Sequence, residues 1–119
     1  MTYLSSLIER AATICAQARK GIALTGAGIS VESGIPPFRG KGGLWRKIDP
    51  MKYAHIEALE RDAAEVWRVL FVGITEVLKR AAPNAGHIGV YNLERMGVLQ
   101  TIITQNVDGL HQRAGSTGV

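Results

Sequence analysis

Two clusters of small and polar residues could do chemistry in this chain. The first, Gly26-Ala27-Gly28, directly follows a short apolar run at 22–25. Small residues let the backbone approach a ligand closely, and if Ile29 to Ser33 begin a helix, its free N–H groups suit a pyrophosphate. Gly-x-Gly alone is weak support for a dinucleotide site, because the full fingerprint places a third glycine where Val31 stands.

The second cluster places two amides and a carboxylate, Gln105, Asn106 and Asp108, just after the β-branched run 99–104. Amides offer donors and acceptors to a ribose or a carboxamide. A carboxylate can accept from a carboxamide NH₂ group and can favour nearby positive charge. Taken alone, Asn-x-Asp-Gly is more typical of a turn than of a site.

A loop rich in glycine and proline follows the first cluster at 34–40. Its two prolines fix φ and bias Ile35 away from helix, so an ordered loop is expected. The loop holds one apolar and one cationic side chain, Phe38 and Arg39. The alternative is a tight surface turn with one buried Phe, for which this composition is costly.

The elements that must position these clusters are two strands with helices between them. The runs 21–25 and 99–104 predict buried strands, and the order strand, helices, strand predicts a right-handed parallel crossover. Ligands bind outside the carboxyl ends of such strands. Because the clusters follow Thr25 and Thr104, we expect them to face one crevice of an α/β fold.

Three helical regions are predicted around these strands. Ser6-Leu7-Ile8-Glu9 indicates a capping box that opens a first helix, whose apolar stripe, including Cys15, is expected to pack in the core. Residues 56–81 predict one or two helices that are apolar nearly all round at 66–72, so they are buried or line a cavity or partner surface. A helix is also expected from about 86 to 96, with His87 in its first turn as a structural hydrogen-bonding residue.

In full, the two clusters resemble the two signatures of the sirtuins, the NAD-dependent protein deacylases. Residues 26–40, followed by Gly43-Leu44-Trp45, resemble the first, and residues 104–115 resemble the second. Pro83-Asn84 with His87 also stands where many members have it. The resemblance covers essentially the whole chain. One departure is Pro37, which stands where many members have Asp, so that a hydrogen bond is lost there.

The resemblance implies that residues 1–119 are the N-terminal part of a sirtuin catalytic domain. Its fold would be a partial Rossmann-like parallel sheet with flanking helices and part of a small helical module. Residues 35–82 would form the cofactor-binding loop and that module, inserted between the strands at about 21–25 and 99–104.

The cofactor that the resemblance implies is NAD, and roles follow for both signatures. The residues expected at or near the phosphates and ribose are Gly26, Ala27, Gly28, Ser30 and Gln105. The residues expected around the nicotinamide and the reactive centre are Ile35, Phe38, Arg39, Asn106, Val107 and Asp108. Of these, the catalytic set is Asn106, Asp108 and Arg39.

The implied reaction is attack of the acyl oxygen of an acyl-lysine protein or peptide on C1′ of NAD, with release of nicotinamide. The general base of the family is a histidine in a His-Gly pair after the second signature. The sequence reaches Val119 before any such pair, and His111 belongs to the signature itself. The family's four zinc-binding cysteines are also absent, so no metal ligand is predicted. We therefore expect a truncated chain that is inactive alone.

The acyl group is predicted to be apolar, such as acetyl. Family members that prefer acidic acyl groups carry a Tyr and an Arg three residues apart in the helical module, and Leu70 and Gly73 stand near those places. Plain helix packing explains this region equally well. Two other functions remain open: a related NAD-consuming ADP-ribosyltransferase or NAD hydrolase, and a non-catalytic fragment that binds NAD or self-associates through an exposed sheet edge.

Composition narrows the class of protein. The net charge of +4 is mild and dispersed, which does not favour a nucleic-acid partner. A single cysteine excludes a disulfide framework within the chain and, with no secretory signal evident, favours an intracellular, cytoplasmic location. The longest apolar stretch, 66–74, contains Arg68 and is too short to span a bilayer.

Overall fold

The computed structural model describes residues 2–119 and has the α/β architecture that the sequence predicts. Two parallel strands lie at its centre, and the helices of residues 2–119 precede, join and follow them. In chain order the elements are α1 Tyr3–Gln17, β1 Gly21–Thr25, a 3₁₀ helix Ala27–Ser33, a 3₁₀ turn Leu44–Arg46, α2 Pro50–Tyr53, α3 Ile56–Arg61, α4 Ala63–Trp67, a π-helical turn Arg68–Val72, α5 Gly73–Arg80, α6 Ala85–Arg95, β2 Leu99–Thr104 and α7 Leu110–Arg113.

The two strands and their parallel pairing are confirmed. β1 and β2 run side by side with Leu24 opposite Ile103 and Thr25 opposite Thr104. Ile102 is buried on one face of the sheet, whereas Leu24 and Ile103 are exposed on the other. The register brings the carboxyl ends of both strands to the same edge, which is where the two polar clusters begin.

The first helix starts earlier than its capping box predicts. Thr2, in an extended conformation, accepts a hydrogen bond from the Ser5 amide through its side chain, so α1 begins at Tyr3. Ser6 therefore lies inside the helix, and the predicted start at Ser6 is wrong. A threonine hydroxyl satisfies an unpaired amide of the first turn as well as a serine does, and Thr2 offers one a turn earlier.

The prediction that α1 packs its apolar stripe in the core is also wrong. No residue of α1 is buried, Leu4 is 65% exposed, and Cys15 is only half-buried. An amphipathic face stabilises a protein only where another layer covers it. Within residues 2–119 no element covers this face of α1.

The region between the strands forms a helical module of short segments, α2 to α5. Ala58 and Val66 are buried in it, while Trp67 and Val72 remain exposed. The two aromatic rings of Trp67 and Phe71 lie 4.3 Å apart across the π-helical turn. The middle of this region is therefore only partly buried, despite being apolar nearly all round. Of the helices in residues 2–119, none is both long enough and apolar enough to cross a membrane.

The helix predicted at 86–96 is confirmed as α6, and its first turn joins the site. Asn84 accepts from the Gly86 amide at 2.8 Å, and the Asn84 amide donates to Nδ1 of His87 at 3.2 Å. This reciprocal capping confirms His87 as a structural hydrogen-bonding residue. A small apolar core of Ile35, Ala81 and Leu110 joins the 34–40 loop, the end of α5 and α7.

Candidate functional site

The two polar clusters meet at the carboxyl edge of the sheet. The Gln105 amide donates to the carbonyl of Thr25 at 3.2 Å. The second loop, residues 105–110 after β2, therefore starts in contact with the end of β1, from which the first loop, residues 26–40, departs. After Gly26 the first loop turns into the 3₁₀ helix Ala27–Ser33, not an α-helix. The prediction of one crevice is therefore confirmed, with the first cluster at one wall and the second cluster at the other.

Asn106 bridges the two loops. Its Nδ2 donates to the carbonyl of Gly26 at 2.9 Å and to Oγ of Ser30 at 3.3 Å. A Cβ at Gly26 would lie 2.9 Å from Nε2 of Gln105, so a larger residue there would displace the end of that side chain. The side-chain amide of Asn106 thus holds the turn of the first loop against the second loop.

Asp108 is fixed through both carboxylate oxygens. The hydroxyl of Ser30, which is 1% exposed, donates to Oδ2 at 2.7 Å. The Leu110 amide donates to Oδ1 at 2.9 Å. Two such bonds fix the orientation of a charged acceptor at the crevice.

Two buried histidines lie behind Ser30. Nδ1 of His87 accepts from the Asn84 amide, so neutral His87 carries its proton on Nε2, 3.3 Å from Oγ of Ser30. The ring of His111 meets His87 edge-on at 5.1 Å. Burial lowers the pKa of His87, the neighbouring His111 lowers it further, and Asp108 opposes both effects. Burial also lowers the pKa of His111. Both rings are therefore neutral at physiological pH.

A first cavity of about 500 Å³, the outer cavity, opens where the 34–40 loop faces the second cluster. The rings of Phe38 and Trp45 stack at 5.4 Å, and the Trp45 amide donates to the Phe38 carbonyl at 2.9 Å. Phe38 is 50% exposed, so the alternative of a turn with one buried Phe is wrong. The cavity is lined by Ala27, Pro37, Phe38, Arg39, Trp45, Gln105 and Asn106.

A second, smaller cavity of about 100 Å³, the inner cavity, lies deeper and joins both loops to α5. One side is apolar and the other carries the amides and carboxylate of the second cluster. The lining residues are Ala27, Ser30, Ile35, Pro36, Phe38, Ile74, Leu78, Gln105, Asn106, Val107 and Asp108. Sequence reasoning did not place Ile74 and Leu78 in the site. Their signal was the helical spacing of apolar residues on one side of region 56–81, which indicated a packing face or a cavity wall.

Nine of the eleven residues predicted for the cofactor line one or both cavities. Gly26 and Gly28 do not: Gly26 contributes its carbonyl to Asn106, and Gly28 is exposed. Ser30, predicted near phosphate and ribose, lies on the inner cavity and donates to Asp108. Val107 lines the inner cavity although it is 86% exposed. Of the three predicted catalytic residues, Asn106 and Asp108 share the inner cavity and Arg39 lies on the outer one.

Among residues 2–119, no group of three or more His, Cys, Asp or Glu side chains is arranged to hold a metal ion. The polar groups that line the two cavities are amides, a hydroxyl, a carboxylate and a guanidinium, which can exchange hydrogen bonds with amide, ribose and phosphate groups.

Comparison with known proteins identifies the family. The Sir2 family model matches residues 26–119. An NAD-dependent protein deacylase of Aeropyrum pernix is 53% identical over 112 residues, which is 94% of this chain and 45% of that protein. NAD-dependent protein deacylase 2 of Pyrobaculum aerophilum is 52% identical over 105 residues, 88% of this chain and 42% of that protein.

Solved structures give the same result for the fold. A Sir2 homologue in complex with NAD has a TM-score of 0.81 at 46% identity, covering 93% of this chain and 43% of that one. A Sir2 complex with a deacetylated p53 peptide and 3′-O-acetyl ADP-ribose has a TM-score of 0.83 at 36% identity, covering 94% and 45%. The chain spans less than half the length of the relatives it matches. Over that span its sequence, its Rossmann-like sheet and its two signature loops agree, and the chain belongs to the Sir2 family.

Proposed function

We propose that this chain carries the NAD- and nicotinamide-binding part of an NAD-dependent protein lysine deacylase. The whole enzyme would transfer the acyl group of acyl-lysine to ADP-ribose and release nicotinamide. One observation carries the proposal: Asn106 and Asp108 share the wall of a small cavity with the apolar residues of the 34–40 loop. An aromatic carboxamide needs such a combination of apolar and polar walls.

The residues present fit NAD by their size and chemistry. A volume of about 500 Å³ in the outer cavity lies within the range of known cofactor pockets. Arg39 supplies a cation for the pyrophosphate, and Gln105 offers donors and acceptors to a ribose. The inner cavity, at about 100 Å³, is of a size for a single ring. The stacked rings of Phe38 and Trp45 give the outer cavity an aromatic surface.

The roles of the individual side chains follow from their contacts. Asp108, held by Ser30 and by the Leu110 amide, can accept from the carboxamide NH₂ of nicotinamide. Asn106 already donates to Gly26 and Ser30, so its carbonyl oxygen is available to the ligand. Cleavage of the nicotinamide–ribose bond develops positive charge on the sugar, which a nearby carboxylate stabilises. This chain thus contributes to binding and bond cleavage.

An acyl-lysine protein or peptide is the proposed second substrate, with an apolar acyl group such as acetyl. On the wall formed by the helical module, Leu70 and Gly73 stand near the places where family members that prefer acidic acyl groups carry a Tyr and an Arg. The complex of a Sir2 protein with a deacetylated p53 peptide supports a peptide as the second substrate. An acidic acyl group would lack a cation on that wall.

The test is nicotinamide release from NAD by the purified chain, with and without an acetyl-lysine peptide, together with NAD binding by calorimetry. Binding that is lost in Asp108→Ala and kept in Asn92→Ala, an exposed residue of α6, supports the site. Peptide-dependent release supports the deacylase, and release without peptide supports an NAD hydrolase. Transfer of ADP-ribose to protein supports a transferase. A folded chain that neither binds NAD nor releases nicotinamide contradicts the proposal.

A second proposal concerns self-association through the sheet. Ile22 and Leu24, two residues apart on β1, share a face with Ile103, and Leu24 is 77% exposed. Parallel sheets are normally covered on both faces. We expect the chain to form dimers or larger species by sedimentation velocity, and Leu24→Lys to shift them to monomer. A native chain that stays monomeric at high concentration contradicts this.

A further inference from the structure

Thr25, the last residue of β1, contacts both ends of the second signature loop. At the start of the loop, the Gln105 amide donates to the backbone carbonyl of Thr25 at 3.2 Å. At its end, the hydroxyl of Thr25 lies 2.8 Å from Nε2 of His111. The loop that carries Asn106 and Asp108 is therefore held between two attachments to a single residue of β1. Closing a loop in this way removes conformations in which its side chains would face solvent.

The ring of His111 depends on this one hydrogen bond. His111 is 1% exposed, and its Nδ1 is buried without a hydrogen-bond partner in the described residues. The ring of His111 also meets the ring of His87 edge-on, and His87 is hydrogen-bonded to Ser30, the residue whose hydroxyl donates to Asp108. Since a lone pair or N–H at Nδ1 is already unsatisfied, loss of the Thr25 hydroxyl would leave the whole ring without a polar partner.

We propose that His111 is a positioning residue, which acts with Thr25 to hold the 105–110 loop so that Asn106 and Asp108 face the inner cavity. This inference rests on the proposed function, because the cavity is taken to receive nicotinamide. Neither Thr25 nor His111 lines the outer or the inner cavity. Their effect on a ligand must therefore pass through the loop.

The test compares Thr25→Val, His111→Phe and the double variant with Thr101→Val. Valine keeps the shape of threonine without the hydroxyl, and Thr101 is an exposed threonine of β2 with no side-chain hydrogen bond in the described residues. NAD affinity is measured by calorimetry, and amide exchange of residues 105–110 by NMR. We expect Thr25→Val and His111→Phe each to weaken NAD binding about tenfold, the factor for one buried hydrogen bond. The double variant should be no weaker than the single variants.

A second readout separates positioning from simple stability. A residue that only stabilises the fold would lower the melting temperature and speed exchange throughout, while the folded fraction would bind NAD with native affinity. We expect instead faster exchange confined to 105–110, and recovery of binding in His111→Gln, whose amide can again meet Thr25. Native affinity in a folded Thr25→Val variant would overturn the proposal.

The two proposals fail in different ways. If the native chain does not bind NAD, the proposed function fails, but exchange in the loop still tests the role of His111. In that case, the role of His111 would be overturned if the 105–110 amides exchange equally slowly in Thr25→Val and Thr101→Val. Faster loop exchange in Thr25→Val alone would support it.

Discussion

Replacement of Ser30 by alanine tests the polar centre of the site most sharply. Its hydroxyl donates to the carboxylate of Asp108 at 2.7 Å and lies 3.3 Å from both Nε2 of His87 and Nδ2 of Asn106. Three side chains, one from α6 and two from the loop after β2, therefore meet at one oxygen atom of a residue that is 1% exposed. Removal of that atom leaves two donors and one charged acceptor without this partner.

The expected loss of stability follows from these bonds. A hydrogen bond to a charged group contributes about 1.5–3 kcal/mol, and each buried polar group left unsatisfied costs about 1–3 kcal/mol. Relaxation of the two longer contacts recovers part of this. We expect the free energy of unfolding to fall by about 3 kcal/mol, which for a domain of this size lowers the melting temperature by about 10 °C.

The assay is urea unfolding followed by tryptophan fluorescence and circular dichroism. Ser6→Ala is the matched control, because Ser6 is exposed within α1 and has no side-chain hydrogen bond among residues 2–119. An unchanged slope with urea would show that the denatured state is the same in each variant. If Ser30→Ala unfolds within about 0.5 kcal/mol of Ser6→Ala, a range typical of surface substitutions, the reasoning about this centre is wrong.

Three further predictions concern pH, the outer cavity and the cap of α6. Burial lowers the pKa of both His87 and His111 below the ordinary 6.5, so the unfolded chain binds protons that the native chain does not. Their contribution to stability is therefore complete above about pH 6.5 and is lost as the pH falls below it. The free energy of unfolding in urea should decline between about pH 7.5 and about pH 5. A free energy of unfolding that does not change over this range would refute the prediction. Gly43→Ala would place a Cβ 2.8 Å from backbone atoms of Phe38 and Arg39, whereas a Cβ at Gly73 meets nothing within 4 Å. The new Cβ would push the backbone at Phe38 and Arg39 away from its native position beside the outer cavity. The NAD affinity measured by calorimetry should therefore fall at least about tenfold in Gly43→Ala and stay native in Gly73→Ala. Asn84→Asp keeps the oxygen that caps α6 but replaces the NH₂ group that donates to the Ile29 carbonyl at 2.7 Å with a second acceptor. The melting temperature should therefore drop by about 5–10 °C. An unchanged melting temperature would contradict this role of Asn84.

The strands and the meeting of the two loops could be predicted from the sequence because their signals are local. Four apolar or β-branched residues precede each cluster, and parallel strands bring their carboxyl ends to one edge. The structural role predicted for His87 was equally local, since its partner Asn84 lies three residues away. The residue types of the clusters then indicated ligand chemistry before any contact was known.

The remaining features depend on contacts between distant parts of the chain. Ile74 and Leu78 have the same apolar spacing whether they face a core or a cavity, so only their placement against Phe38 decides. The contact of His111 with Thr25 spans 86 residues and has no sequence pattern of its own. The apolar stripe of α1 is an example. Its spacing correctly predicts a helix, but whether another element packs on the stripe depends on the rest of the fold.

The most direct test of the NAD site is an NMR titration of the native chain with NAD, read at each backbone amide. We expect shifts concentrated at the two loops, with the largest at Ala27, Phe38, Gln105, Asn106 and Asp108, and none along the exposed face of α1. Nicotinamide alone should move the inner cavity residues, Asn106 and Asp108, and leave Arg39 and Trp45 in place. Shifts absent from both loops in a folded chain, or spread evenly over the surface, would contradict the assignment of this crevice to NAD.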